Sequence, residues 1–450
     1  MADGKQMGLR SAAAGAQTVA VTDIKSAPGG AQSTAWSIVL LLALILFGGA
    51  AMRTVFGPLQ EAAKLDLGLT DIAISYVQGL AVGAPVALIS LPVAWVVDHG
   101  NRVRLLIALL AICVIGTFWT AFAGSFVTLF MARVLSGLGA TCSIAVIISL
   151  TADYCAPDHR GRAIVILGLG TYAGSAAAFV LGGILLSVLA KHPVAFLGAL
   201  APWRGTHLLI GLAGMALLFP LFMLREPPRR EQQHIVAALG PSLRALWAKR
   251  RFLLPLFVGQ LCVGMADNAA GIWATPVLIR DYHEQPSQFS GWMGGIILIG
   301  GIFGSVIGGV GADWGKKSGR RGALLYTAVA ATAAGIPTAL FPLMPSITGF
   351  ALMLFVMMLA GTITAIVSST TVAVLIPNEE RGACMAAFGI VGAIIGQLSP
   401  TVVAWGSAAM GGERHLAPAL AVTGVVAGVI SFVGYVFALR NAPLTATDWS

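Results

Sequence analysis

Charge is scarce in this sequence. Only 10% of its 450 residues are Asp, Glu, Lys or Arg, against about 25% in ordinary soluble domains. A water-facing chain of this length must still cover its surface with polar groups, so a soluble globular protein is excluded. Cysteine is rarer still. Five stand at 113, 142, 155, 262 and 384, four of them in apolar runs and none in a CxxC pair, which excludes a disulfide framework or a zinc site. The seven histidines sit in or beside loops, with His207 at the start of an apolar run, and no HExxH occurs. No P-loop lysine and no nucleophile–base constellation is visible, so neither an enzyme nor a cofactor is expected and energy must come from gradients.

Apolar residues are abundant at 57%, and 55 glycines are spread through the apolar runs rather than gathered in linkers. Glycine is tolerated inside membrane helices more than in soluble ones. A spanning helix needs about 20 apolar residues. Twelve runs qualify: 35–59, 72–97, 103–124, 126–151, 163–189, 206–224, 252–279, 288–312, 322–342, 346–375, 382–407 and 416–439. The expected fold is an all-α membrane protein. Its expected organisation is a disordered cytoplasmic tail (1–34), a six-helix bundle (35–224), a cytoplasmic linker (225–251), a second six-helix bundle (252–440) and a cytoplasmic C-terminal tail (441–450). The first segment has no compact apolar core with a cleavage site behind it, so it reads as a tail and not as a signal peptide. The linker contains a candidate amphipathic helix for the inner surface, touching anionic lipid.

The basic residues set the expected orientation. With the N-terminus inside, cytoplasmic segments hold 20 of the 27 Lys and Arg, outer segments five (Lys64, Lys191, Arg204, Arg280, Arg414), and two lie within spans. This follows the positive-inside rule and places both termini in the cytoplasm, with the plasma (inner) membrane as the expected location. It also accounts for the net charge of +9 without nucleic acid as a partner. The expected partners are membrane lipids and a small-molecule substrate, with the monomer as the working unit.

The chain repeats itself. The loop after the second span reads "AWVVDHGNRVR", with Asp98, Gly100, Arg102 and Arg104; the loop after the eighth reads "GADWGKKSGRR", with Asp313, Gly319, Arg320 and Arg321. Two loops further on, "PDHRGRA" and "PNEERGA" match, and Asp98 to Arg160 spans 62 residues where Asp313 to Arg381 spans 68. Two six-helix halves in parallel topology explain both facts, and such repeats are a transporter architecture.

On these residues the chain resembles the major facilitator superfamily. Gly309, Asp313, Gly319, Arg320 and Arg321 follow the family's loop signature with about three extra residues, whereas in the first copy Ala94 replaces the glycine and Asn101 precedes Arg102. The resemblance implies two pseudo-symmetric bundles, and a cytoplasmic gate at Asp98, Arg102, Asp313, Arg320 and Arg321. In such a gate the aspartate caps a neighbouring helix or pairs with arginine. The glycine-rich fifth span, with Gly168, Gly170, Gly174, Gly182 and Gly183, is expected to pack closely and slide. Within the superfamily, "MRTVFGPLQEAAKLDLGLTD", "ARVLSGLG" and "SLTADYCAPDHRGRA" resemble the spinster-like group. That group's two acids near the arginines are replaced here by Met52 and Ala140, which argues against its proton mechanism and against lysolipid as substrate.

Three charges sit well inside spans: Arg53, Arg133 and Asp267. Each costs about 2.5–3.5 kcal/mol on insertion scales and must face protein or water. Arg53 and Arg133 each lie about seven residues from the outer end of the first and fourth runs, hence in one layer. The resemblance places both spans on the wall of a central cavity. Guanidinium binds carboxylate or phosphate through paired hydrogen bonds, so an anionic solute is expected, with snorkelling or a structural tie as the alternative for each arginine. Gln78, Tyr172 and Asn268 offer further polar groups, as do Thr54, Gln260 and Gln397, and Trp273 a flat apolar face. Asp267, the only carboxyl deep in a span, is the candidate proton carrier. The expected function is a secondary transporter, a symporter where a proton is coupled. Two other readings stay open: an exporter of drugs or lysolipids, and a transporter-like sensor that binds without translocating.

Overall fold

The computed structural model describes residues 34–192, 200–229 and 239–445. The proposed N-terminal tail, the centre of the linker and the end of the C-terminal tail lie outside these residues. Among the described residues, twelve helices are long and apolar enough to cross a membrane: Trp36–Leu67, Asp71–His99, Arg102–Phe122, Phe126–Tyr154, Pro157–Lys191, Pro202–Phe222, Arg250–Arg280, Pro286–Lys317, Ala323–Leu343, Ile347–Leu375, Asn378–Ala409 and Glu413–Asn441. They form two six-helix bundles, called here the first and second halves. A short helix, Leu239–Ala248, precedes the seventh span.

Local chemistry fixes where the helices begin. Asn101 accepts from the Arg104 amide to start the third span, Ser125 and Thr128 cap each other's backbone at the fourth, and Ser346 accepts from Gly349 at the tenth. The first span ends on Gly68 at φ 62°, a conformation that favours glycine. Leu88, Phe219 and Val310 are among the large apolar side chains left exposed by the protein, as lipid-facing positions must be.

Proline shapes the interior more than the apolar runs suggest. The first run was expected to stop at 59, but the helix continues to Leu67 across a break at Val55. Pro58 lies just beyond that break; its missing N–H leaves the Thr54 carbonyl without a helical donor. Arg53 therefore sits near mid-span, deeper than a helix ending at 59 implies. Pro276 does the same to the Ile272 carbonyl in the seventh span. In the eleventh, a turn at Gln397–Leu398 precedes Pro400, which leaves the Gly396 carbonyl without its helical N–H donor; Ser399 Oγ donates to it at 2.8 Å. The second span carries a π-type turn at Tyr76–Leu80.

The halves meet along three helix pairs. The fifth and eighth pack through glycine: a Cβ on Gly183 would lie 2.4 Å from Ser290 Oγ, and one on Gly301 2.4 Å from the Tyr172 ring. The second and eleventh approach where a Cβ on Gly79 would lie 2.2 Å from the Gln397 carbonyl oxygen. The first and seventh meet through polar groups, described next. The expectation that small residues in the fifth span permit close packing agrees with this geometry.

Candidate functional site

A cavity of about 230 Å³ lies between the halves near mid-span. The first half contributes Arg53, Thr54, Gln78 and Arg133 to its wall, and the second contributes Asp267, Asn268 and Gln397. Phe179, Ile272, Met293, Ile297 and Met358 supply most of its apolar surface. The structure thus brings together seven of the sequence-derived candidates: Arg53, Arg133, Thr54, Gln78, Asp267, Asn268 and Gln397.

The two arginines differ. Arg133 is 2% exposed, donates from one terminal nitrogen to the Arg53 carbonyl at 2.7 Å, and stacks on Phe56 with its guanidinium carbon 5.1 Å from the ring centroid. It holds the break in the first span while its Nε remains buried without a partner. Arg53 is only partly buried, and its guanidinium has no hydrogen-bond or ion-pair partner among the described residues. It is the freer cation of the pair.

Asp267 forms no ion pair with either arginine among the described residues, and its Oδ1 is buried without a hydrogen bond. Its carboxyl packs on Gly361 of the tenth span, where a Cβ would approach Cγ to 2.9 Å. Asn268 serves the scaffold as well as the wall. Its Nδ2 donates to the Gly396 carbonyl at 3.0 Å and to Ser399 Oγ at 3.1 Å, so it joins Ser399 in replacing the donor that Pro400 withholds.

Three candidates fall elsewhere. Trp273 is fully buried and donates its indole N–H to the Pro400 carbonyl at 3.0 Å; it anchors the eleventh span and offers no face to the cavity wall. Tyr172 packs against Gly301 between the fifth and eighth spans, outside the cavity wall. Gln260 bonds to Tyr435 at 2.7 Å within the second half. Sequence reading placed all three on the correct helices, but which way a side chain points on an evenly apolar helix depends on packing.

The ends of the molecule carry separate charge clusters. At the end near Leu67, Arg280 of the seventh span donates to Glu61 at 3.0 and 2.8 Å and to Asp71 at 2.7 and 2.8 Å. Lys64 donates to Asp71 at 2.7 Å and also to Glu413, which accepts the Asp71 amide at 2.8 Å. These contacts join first-half residues to second-half residues. Sequence reading counted Lys64 and Arg280 only as loop cations; the available signal was the run of acids Glu61, Asp66 and Asp71 around Lys64.

At the opposite end, Arg102 bonds to Asp153 and Glu226 rather than to Asp98. Asp98 and Gly100 accept through their carbonyls from Arg229, the latter at 2.6 Å. Arg321 donates to the Ala442 carbonyl at 2.6 Å, while Asp313 and Arg320 are exposed. No ion pair among the described residues crosses between the halves at this end; each links a half to itself or to its flanking linker. Among the described residues, none of Asp98, Arg102, Asp313, Arg320 and Arg321, the residues expected to gate this side, forms an ion pair with the opposite half.

A family model described as Major Facilitator Superfamily matches residues 42–400. The chain belongs to the major facilitator superfamily. It is a multi-pass membrane protein. The 3-(3-hydroxy-phenyl)propionate transporter of Escherichia coli (strain K12) is 27% identical over 259 residues, 55% of this chain and 55% of that protein. The chain therefore matches about half the length of that relative. A probable 4-methylmuconolactone transporter of Cupriavidus pinatubonensis (strain JMP 134 / LMG 1197) is 26% identical over 343 residues, 76% of this chain and 77% of its own. Among solved structures, a bacterial homologue of the human lysosomal transporter Spinster, inward-facing and unoccupied, has a TM-score of 0.76 at 21% identity, covering 90% of this chain and 98% of that one. That likeness is one of fold, and it agrees with the resemblance to the spinster-like group.

Proposed function

We propose that this chain is a secondary transporter of a small organic anion, most simply a monocarboxylate with an apolar body, moved by alternating access. The observation that carries the reading is the charge arrangement of the cavity: two guanidinium groups on the first-half wall, one of them without a partner among the described residues, against a single carboxyl, Asp267, set with Asn268, Gln397 and apolar side chains on the second-half wall. An unpartnered cation in a membrane interior is costly, and a bound carboxylate offsets that cost. The two relatives named for a phenylpropionate and a muconolactone support the same solute class. The cavity is smaller than the ~300–1,000 Å³ typical for drug-sized ligands, which favours a compact solute over a lysolipid.

The charge asymmetry of the loops supports placing the Arg102 end in the cytoplasm. The Arg280 cluster then closes the outer side. Arg53 holds the anion and Arg133 positions it, with Gln78 and Asn268 lining the path. Asp267 carries the coupled proton, and Asp98, Arg102, Asp313, Arg320 and Arg321 belong to the inner closure.

The test is counterflow in proteoliposomes with labelled 3-(3-hydroxyphenyl)propionate as the probe. Arg53→Ala is expected to lower uptake at least about 100-fold, the loss of a charge-assisted bidentate contact, and Arg53→Lys to recover only part of it. Full counterflow in Arg53→Ala would refute the site. For Asp267→Asn, uptake driven by an imposed pH gradient is expected to vanish while solute exchange persists. Gradient-driven uptake equal to that of the parent chain would remove the proton role.

A further inference from the structure

Gln60 lies one residue before the Glu61 that pairs with Arg280, and it is 1% exposed. Its Nε2 donates at 2.6 Å to the Ile272 carbonyl, across the boundary between the halves. That carbonyl is the one Pro276 deprives of its helical donor. Gln60 Oε1 in turn accepts from Gln78 Nε2 at 3.1 Å. The amide orientation follows from the partners: a carbonyl can only accept, so Nε2 must face Ile272 and Oε1 must face Gln78. Gln78 and Ile272 both line the cavity, whereas Gln60 sits behind them toward the charge cluster.

We infer that Gln60 is a latch between the halves, seated on a carbonyl that proline leaves open and held in register by a cavity residue. The ion cluster around Arg280 is partly exposed, so water competes for its bonds. Gln60 is sealed from water. When the halves part at this end, the Ile272 carbonyl loses a donor that its own helix cannot replace, and that loss favours the closed form. Gln78 connects the latch to the cavity, because its Nε2 has two N–H donors: one goes to Gln60 Oε1, and the other is open to a solute oxygen, which then bears on the register of Gln60. Gln60 is thus a positioning residue for closure and not a substrate contact. The second step rests on the transporter reading; the latch itself does not.

The experiment measures distances in lipid nanodiscs without solute, using spin labels at Leu65→Cys and Ser287→Cys. Both positions are exposed at the Arg280 end, one in each half, and Cys262→Ala removes the only cysteine that is not buried. Gln60→Met is expected to raise the ratio of open to closed distances about tenfold, the effect of one buried hydrogen bond and its orphaned acceptor. Pro276→Ala returns a donor to Ile272 within the seventh span and is expected to shift the ratio in the same direction. The double variant should show no more than the larger single effect, since both changes remove one bond. Gln78→Met should give a smaller shift of the same sign. Unchanged distances in Gln60→Met, or a double variant whose shift is the product of the two singles, would overturn the latch. Counterflow on the same variants separates the two readings: a chain whose distances shift as expected but which moves no solute fails as an anion transporter while the latch stands.

Discussion

The two ends of this molecule use the same chemistry for different purposes. At the Arg280 end, one arginine and one lysine hold four carboxylate contacts, three of which tie one half to the other. At the Arg102 end, an arginine between two carboxylates ties the third span to the fourth and to the segment after the sixth, all on one side of the boundary. An ion pair across a moving boundary can act as a switch, whereas one within a rigid body contributes only to its integrity. The difference lies in which bodies the charges connect.

Substitutions can separate these purposes. Arg102 is 3% exposed and Asp153 7%, so Arg102→Met removes a buried charge-assisted contact to Asp153 and another to Glu226 and is expected to cost the first half about 1.5–3 kcal/mol. The measured result should be a lower Tm in detergent with unchanged distances across the Arg280 end; a clear change in those distances would break the contrast. Arg280→Gln leaves Asp71 paired with Lys64 and takes from Glu61 its one ion-pair partner among the described residues. It is expected to destabilise the closed form by about 2–3 kcal/mol, with spin-label distances at that end shifting to longer values while Tm changes little. Glu413 is 46% exposed, and Glu413→Gln should shift the same distances by less than about 1 kcal/mol, an effect that fades as salt rises. A Glu413 effect as large as that of Arg280 would mean that the cluster is drier than its exposure implies.

Much of the fold was legible because the bilayer requires long apolar helices and the repeat of Asp98 and Asp313 with their arginines marks two halves. The cavity charges were legible for a related reason: a charge in a span is rare enough to stand out. Directions on the helix surface were not. Trp273 and Tyr172 sit on the right spans but turn into packing contacts, since helices apolar all round carry no stripe that says which side is wet. The Arg280 cluster escaped notice because its members lie up to 349 residues apart and each alone looks like an ordinary loop charge. The prolines at 276 and 400 are plain in the sequence, yet Gln60 and Asn268, which donate to the carbonyls they orphan, come from other helices, where no local pattern marks them.

The separation of charge across the cavity has one more consequence. Both guanidinium groups belong to the first half, while the opposite wall sets two methionines and two isoleucines around Asp267, Asn268 and Gln397. An anion gripped by the arginines would travel with that half as the bundles rock, sliding its greasy flank past the other. The cargo would keep one compartment of the protein as its vehicle throughout the crossing, and its head-to-tail orientation on arrival would be that of its departure.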